Sequence, residues 1–114
     1  MAIDPIFIFN VPLIVNGDMS GNITSNSIVI SEINVLGAQF VWSGGASPLG
    51  YVGLAFSNDN ITFTPDPETF LSVSGNSGSD GINYLNIGFA YCQLIYVATS
   101  GSGTLNARLV GKRT

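Results

Sequence analysis

Apolar residues in this chain fall at alternate positions, in short runs broken by Gly, Ser, Asn and Pro. No stretch as long as an ordinary helix carries the 3.6-residue spacing of a buried helical face, so the period throughout is that of β-strands. The cleanest alternation lies near the C-terminus, where Leu105, Ala107 and Leu109 share one face and Asn106, Arg108 and Lys112 the other. Together with Tyr91–Thr99 it predicts two strands of a hairpin around Ser100-Gly101-Ser102-Gly103, because glycine supplies the positive backbone dihedrals of tight hairpin loops.

The same reading predicts the other elements. Residues 3–15 are apolar and β-prone but carry Pro5 and Pro12, which cannot donate to a central ladder. Two readings stand for residues 1–15, an edge strand of the domain or an assembly arm reaching onto a neighbour. Asn16–Asn26 predicts a loop or loose hairpin, and Ser27–Leu36 a strand whose period slips at Ser31-Glu32, as a bulge or a short bend would make it. Gln39–Trp42 is a brief strand, followed by a Gly/Pro-rich connection, SGGASPLG, without regular structure. In Tyr51–Ser57 the apolar Val52, Leu54 and Phe56 share a face, while Gly53 and Ala55 leave the other face small enough for close approach. A turn at Asn58–Asn60 leads to the short strand ITFTP, and Asp66–Leu71 reads as one helical turn or an irregular loop. Ser72–Gly81 reads as a flexible loop. Ile82–Ala90 predicts a strand with Leu85, Ile87 and Phe89 on one face and Tyr84 and Asn86 opposite, running into Tyr91 as one bent strand or two. The whole pattern predicts an all-β fold, an antiparallel β-sandwich or jelly roll of about seven or eight strands. At 114 residues it makes one domain, residues 1–114.

Composition narrows the classes. Hydrophobic residues make up 46% of the chain, yet no run approaches the length of a spanning helix, so no membrane segment is expected. Charged residues are only 9%, against about 25% in ordinary globular domains. A surface of Ser, Thr, Asn and Gly loses little charge hydration when covered, which favours contact with other protein, including copies of the chain itself. The net charge of −4, with Arg108, Lys112 and Arg113 the only bases, argues against nucleic acid as a partner. The start MAIDPIFIFN lacks the basic region and cleavage site of a secretory signal, so the product is expected to be made in a cytoplasm. Cys92 is alone in the sequence, which excludes an intrachain disulfide and fits a buried thiol.

Little catalytic chemistry is on offer. The absence of histidine removes Ser-His-Asp and Cys-His mechanisms and most catalytic zinc sites. Asp59, Asp66, Glu68 and Asp80 sit in turn-like segments without the dense spacing of a calcium loop, so no metal or cofactor is expected. The glycines at 101 and 103 lack the lysine and the helix of a phosphate-binding loop. The chain is therefore expected not to be an enzyme. Trp42 fits a core anchor best; its alternative role is a sugar-stacking platform with Tyr51 and Tyr84. Asn106, Arg108 and Lys112 lie beside nearly all the positive charge and are the candidate contacts to an acidic neighbour.

The segments QFVWSGGASPLGYVGLAFS, SNDNITFTP and YVATSGSGTLNARLVGK resemble a group of small β-sandwich proteins encoded by bacteriophages and prophages. The resemblance covers about residues 39–112 and is most specific in SGSGTLNARLVGK. It implies a virion structural protein, capsid-associated (cement- or decoration-like) or tail-associated, that oligomerises, contacts other virion proteins and has no catalytic site. A second function of different class is a carbohydrate-binding module, or a host-surface adhesin domain that joins both roles.

Overall fold

The computed structural model describes residues 6–85 and 87–113. Seven strands run through them: β1 (Ile6–Asp18), β2 (Ile23–Thr24), β3 (Ile28–Val29), β4 (Val35–Ser57), β5 (Thr64–Val73), β6 (Gly78–Leu85) and β7 (Tyr91–Arg113). All pairings are antiparallel.

The organising pair is β4 and β7, each 23 residues long and paired from Val35↔Lys112 to Ser57↔Tyr91. Their pairing slips at Ser43/Ala46, Ala46/Leu49 and Leu49/Gly50, opposite Ala98–Thr104. There the ribbon bends, and its two halves enter different sheets. The first sheet has the order β1, second half of β7, first half of β4, β6. The second has β2 and β3 in line, first half of β7, second half of β4, β5. With the halves counted separately and β2/β3 as one, the segments in chain order read 1-8-3-6 in one sheet and 2-7-4-5 in the other. This is the double Greek key of a jelly-roll sandwich.

Alternation then fills the space between the sheets. The first sheet turns Leu36, Ala38, Phe40, Trp42, Leu105, Ala107 and Leu109 inward, and the second Val52, Leu54, Phe56, Cys92, Leu94 and Tyr96. The inward faces expected for Leu105/Ala107/Leu109 and Val52/Leu54/Phe56 are those observed.

Several expected elements come out differently. Ser100–Gly103 closes no hairpin, since the segments on its two sides never pair with each other. They are one strand bending in step with SGGASPLG, which belongs to β4 although it contains only Gly, Ser, Ala, Pro and Leu. Gly101 makes the bend feasible: its φ is +80°, and a Cβ there would stand 2.2 Å from the Ser47 carbonyl oxygen. Asp66–Leu71 is neither helical turn nor free loop but part of β5. Ser72–Gly81 is mostly strand, with β5 ending at Val73 and β6 starting at Gly78. The slip at Ser31-Glu32 is a turn between β3 and β4, the short bend of the two expected alternatives, and it divides the expected strand in two. On β6 it is Ile82 and Tyr84 that pack on the core; strand structure has ended by Ile87, which still packs against the core, and Phe89 stacks on Phe56 with ring centroids 5.1 Å apart, so Tyr84, expected opposite them, shares their apolar surroundings. Asn86 and the first five residues of the expected arm lie outside the described residues. From Ile6 onward the N-terminal segment pairs with its own β7 as an edge strand, with register shifts around Phe7/Phe9, Pro12/Ile14 and Ile14/Gly17.

Candidate functional site

The outer face of the first sheet carries a groove of about 460 Å³. Its residues come from four strands brought level by the register. Asn10, Val110, Gly37 and Asn83 form one row across β1, β7, β4 and β6, and Arg108, Gln39 and Gly81 extend the next. All are positions opposite the core in their own strands, which is why polar side chains collect there. Gly37 leaves the floor without a side chain, and Lys112 closes one end.

Arg108 is exposed, and its Nε donates to Asn10 Oδ1 at 3.0 Å. That bond fixes one edge of the guanidinium and leaves its two terminal nitrogens as donors to a further partner. Among the described residues neither Arg108 nor Lys112 has a carboxylate within ion-pair distance. Asn106 belongs to the same face, but it does not line the groove: its Oδ1 accepts the Asn16 backbone N–H at 2.9 Å, pinning β1 past its bulge. Of the three expected contacts, the structure thus joins Arg108 and Lys112 and sets Asn106 apart. Asn10, Gln39, Asn83 and Gly37 were not visible as site residues. Each is an outward position of its own strand, and only the strand order makes them neighbours.

The three aromatic residues expected as a sugar platform are separated. Trp42 is 6% exposed, lies in the core and donates from Nε1 to the Ser74 carbonyl at 3.3 Å. Gly78 lies against its ring, where a Cβ would approach to 2.6 Å. A ring closed off this way cannot stack on a sugar, because the inward period of β4 places it between the sheets. Tyr84 packs its ring 5.0 Å from Phe56 and donates its hydroxyl to Asp66 Oδ2 at 2.9 Å. That hydrogen bond, with burial and the nearby acids, raises the Tyr84 pKa. Only Tyr51 faces solvent, on the outer face of the second sheet, 47% exposed. Its ring stacks with Phe70 at 6.4 Å and 26°, and its cross-strand partner Val97 is 37% exposed. Phe70 itself lies over Gly53, so the small face expected at Gly53 and Ala55 does admit a close neighbour, the bulged part of β5.

Of the acids expected in turns only Asp59 is in one, after β4; Asp66 and Glu68 lie on β5 and Asp80 on β6, because pairing with β4 extends those segments. Asp59 Oδ1 accepts from the Ile61 and Thr62 backbone and from the Ser57 hydroxyl, and these bonds lower its pKa to about 2. Asp18 is lowered by the same kind of bond, from Ser20. Among the described residues no group of acids or Cys92 comes together with metal-ligand geometry.

No protein-family model and no curated protein matches the chain. Solved structures do. The crystal structure of SPBc2 prophage-derived protein YomS aligns over 96% of this chain and 97% of its own, with TM-score 0.54 and 14% identity. A structure described as "CBM4 structure and function" aligns over 81% of this chain at TM-score 0.52 and 11% identity; the chain spans 61% of it. The carbohydrate-binding module CBM28, described as specific for non-crystalline cellulose, aligns over 81% of this chain and 62% of its own at TM-score 0.47 and 9% identity. The likeness is one of fold. All-β, antiparallel and built from seven strands without a helix among the described residues, the chain is a β-sandwich.

Proposed function

We propose that this protein is a non-enzymatic structural module of a bacteriophage or prophage particle, capsid-associated or tail-associated, that oligomerises and contacts other particle proteins. The observation that carries the reading is the apolar strip of Tyr51, Val97 and Phe70 on the outer face of the second sheet, in a chain with 9% charged residues. Covering such a strip removes apolar area from water and few charges from their hydration. The phage setting is supported by the sequence resemblance over residues 39–112 and by the end-to-end fold correspondence with a prophage-derived protein.

Two measurements test it. Light scattering of the purified protein at micromolar concentration is expected to give an oligomer that Tyr51→Glu weakens at least about tenfold, as loss of a central aromatic contact does. Mass spectrometry of purified particles is expected to find the chain at a defined copy number, large for a shell component and small for a tail or vertex one. A monomer absent from particles would sink the proposal. The carbohydrate-binding or host-surface adhesin alternative draws its support from the groove on the other sheet and from the likeness to the CBM4 structure; Trp42 takes no part in it.

A further inference from the structure

The groove on the first sheet combines features that an ordinary solvated sheet face does not need. Two of the three basic residues of an acidic protein, Arg108 and Lys112, face one trough, spaced about 13 Å along a single strand. Between and beside them stand three side-chain amides, Asn10, Gln39 and Asn83, and the floor at Gly37 is bare. Asn10 and Asn83 mark opposite sides of the trough, three strand spacings or about 14 Å apart. A volume near 460 Å³ is in the range that small organic ligands occupy.

We propose that this trough binds a carboxylate-bearing oligosaccharide, its hydroxyls held by Asn10, Gln39 and Asn83 and its carboxylates by Arg108 and Lys112. A carboxamide offers a donor and an acceptor side by side, which matches hydroxyl groups that are both. The Arg108 guanidinium, with Nε already given to Asn10, presents its remaining edge to one carboxylate as a two-pronged donor. An acidic peptide is the competing occupant, and the strand order disfavours it. Extended peptides gain affinity by pairing with an open strand edge. Here β7 and β4 are inner strands, with both edges satisfied by β1, one another and β6, so the trough offers side chains and no backbone. The site is on the opposite sheet from the Tyr51 strip and stands whether or not the protein assembles through that strip.

The test is a titration, by calorimetry or amide chemical shifts, of the intact protein with oligogalacturonate, oligomannuronate and oligosialate. Neutral cello-oligosaccharide and polyglutamate serve as comparators. At least one acidic sugar is expected to bind saturably, with affinity falling as salt rises. Arg108→Gln is expected to weaken binding at least about tenfold. Gly37→Leu is expected to do the same by filling the floor, since the one heavy atom a Cβ there meets within 4 Å is Asn83 Oδ1, at an ordinary contact distance of 3.8 Å. Ile61→Ala, in the turn after β4 and 83% exposed, is expected to bind as the parent does. Unchanged thermal midpoints in Arg108→Gln and Gly37→Leu separate lost binding from lost folding, with Lys112→Gln as a further variant. No saturable binding of any acidic sugar at about 10 mM would overturn the proposal, at the weak limit of specific recognition. So would binding that survives both Arg108→Gln and Gly37→Leu. Equal affinity for the cello-oligosaccharide would refute the role of the carboxylate, and tighter binding of polyglutamate would make the occupant an acidic peptide instead.

Discussion

Cys92 shows how far a single residue's chemistry is set by its surroundings. It is fully buried in β7, and desolvation raises its pKa from an ordinary 9.0 to about 12. The neutral thiol is the form the core accepts, so the folded protein keeps a proton that the unfolded chain releases. The resulting stabilisation is complete below about pH 9 and is lost as pH rises toward 12, by at most about 1.4 kcal/mol per pH unit. The Tyr96 phenol, raised by burial, and Tyr84, raised first by its bond to Asp66, shift in the same direction. Urea midpoints measured from about pH 8 to about pH 11 are therefore expected to fall with pH, and Cys92→Ala to fall less steeply. Identical slopes would show that the thiol does not titrate in this window. A thiol reagent is likewise expected to label Cys92 only on unfolding. That the cysteine is buried was legible from its apolar strand. Trp42 was likewise legible as a core anchor, whereas Gly78 and Ser74, which close over it, were not, because they are more than thirty residues away in sequence.

At the scale of the strand, the ladders break in defined places, and polar side chains replace the missing backbone partners. Between Val52↔Leu71 and Leu54↔Asp66, β5 holds more residues than β4, so it bulges outward. Thr69 turns back into the gap, accepting the Leu54 N–H at 2.9 Å and donating to the Asp66 carbonyl at 2.7 Å. Ser25 does the same between β2 and β3, accepting the Leu94 N–H at 2.9 Å. Both residues are buried. Thr69→Val keeps the shape but leaves the Leu54 N–H without an acceptor, at an expected cost of about 1–3 kcal/mol in denaturant unfolding. A loss near zero would mean that water fills the gap. The sequence carries no mark of either role. Segment 66–71 has neither alternation nor helical period, and its strand identity comes from the pairing of β5 with β4, despite the two prolines of that strand, Pro65 and Pro67. Those prolines suit an edge strand, where the lost donors would have faced solvent.

For the molecule as a whole, everything depends on β4 and β7 belonging to both sheets. Ile6 pairs with Arg113 and Val35 with Lys112, so the first sheet closes only when the two ends of the chain meet. Ending the chain at Gly103 would remove an inner strand of that sheet together with Leu105, Ala107 and Leu109. The truncated protein is expected to lose cooperative unfolding altogether, seen by calorimetry as the absence of a transition. Retention of a sharp transition would show that the second sheet folds alone. Because nearly every pairing is non-local, refolding of the intact domain is expected in milliseconds to seconds. By itself, the sequence determined the β class, the single core and most of its inward residues, because a period of two fixes which side chains share a face wherever a strand runs. It also determined a surface poor in charge, with its few bases near one end. Only the tertiary structure decided that the Ser-Gly stretch at 100–103 is a bend rather than a hairpin, since glycine permits both and the partner strand selects between them. The tertiary structure likewise assembled the groove, because Asn10, Gln39, Asn83 and Arg108 become neighbours through strand order, which alternation within a strand does not encode.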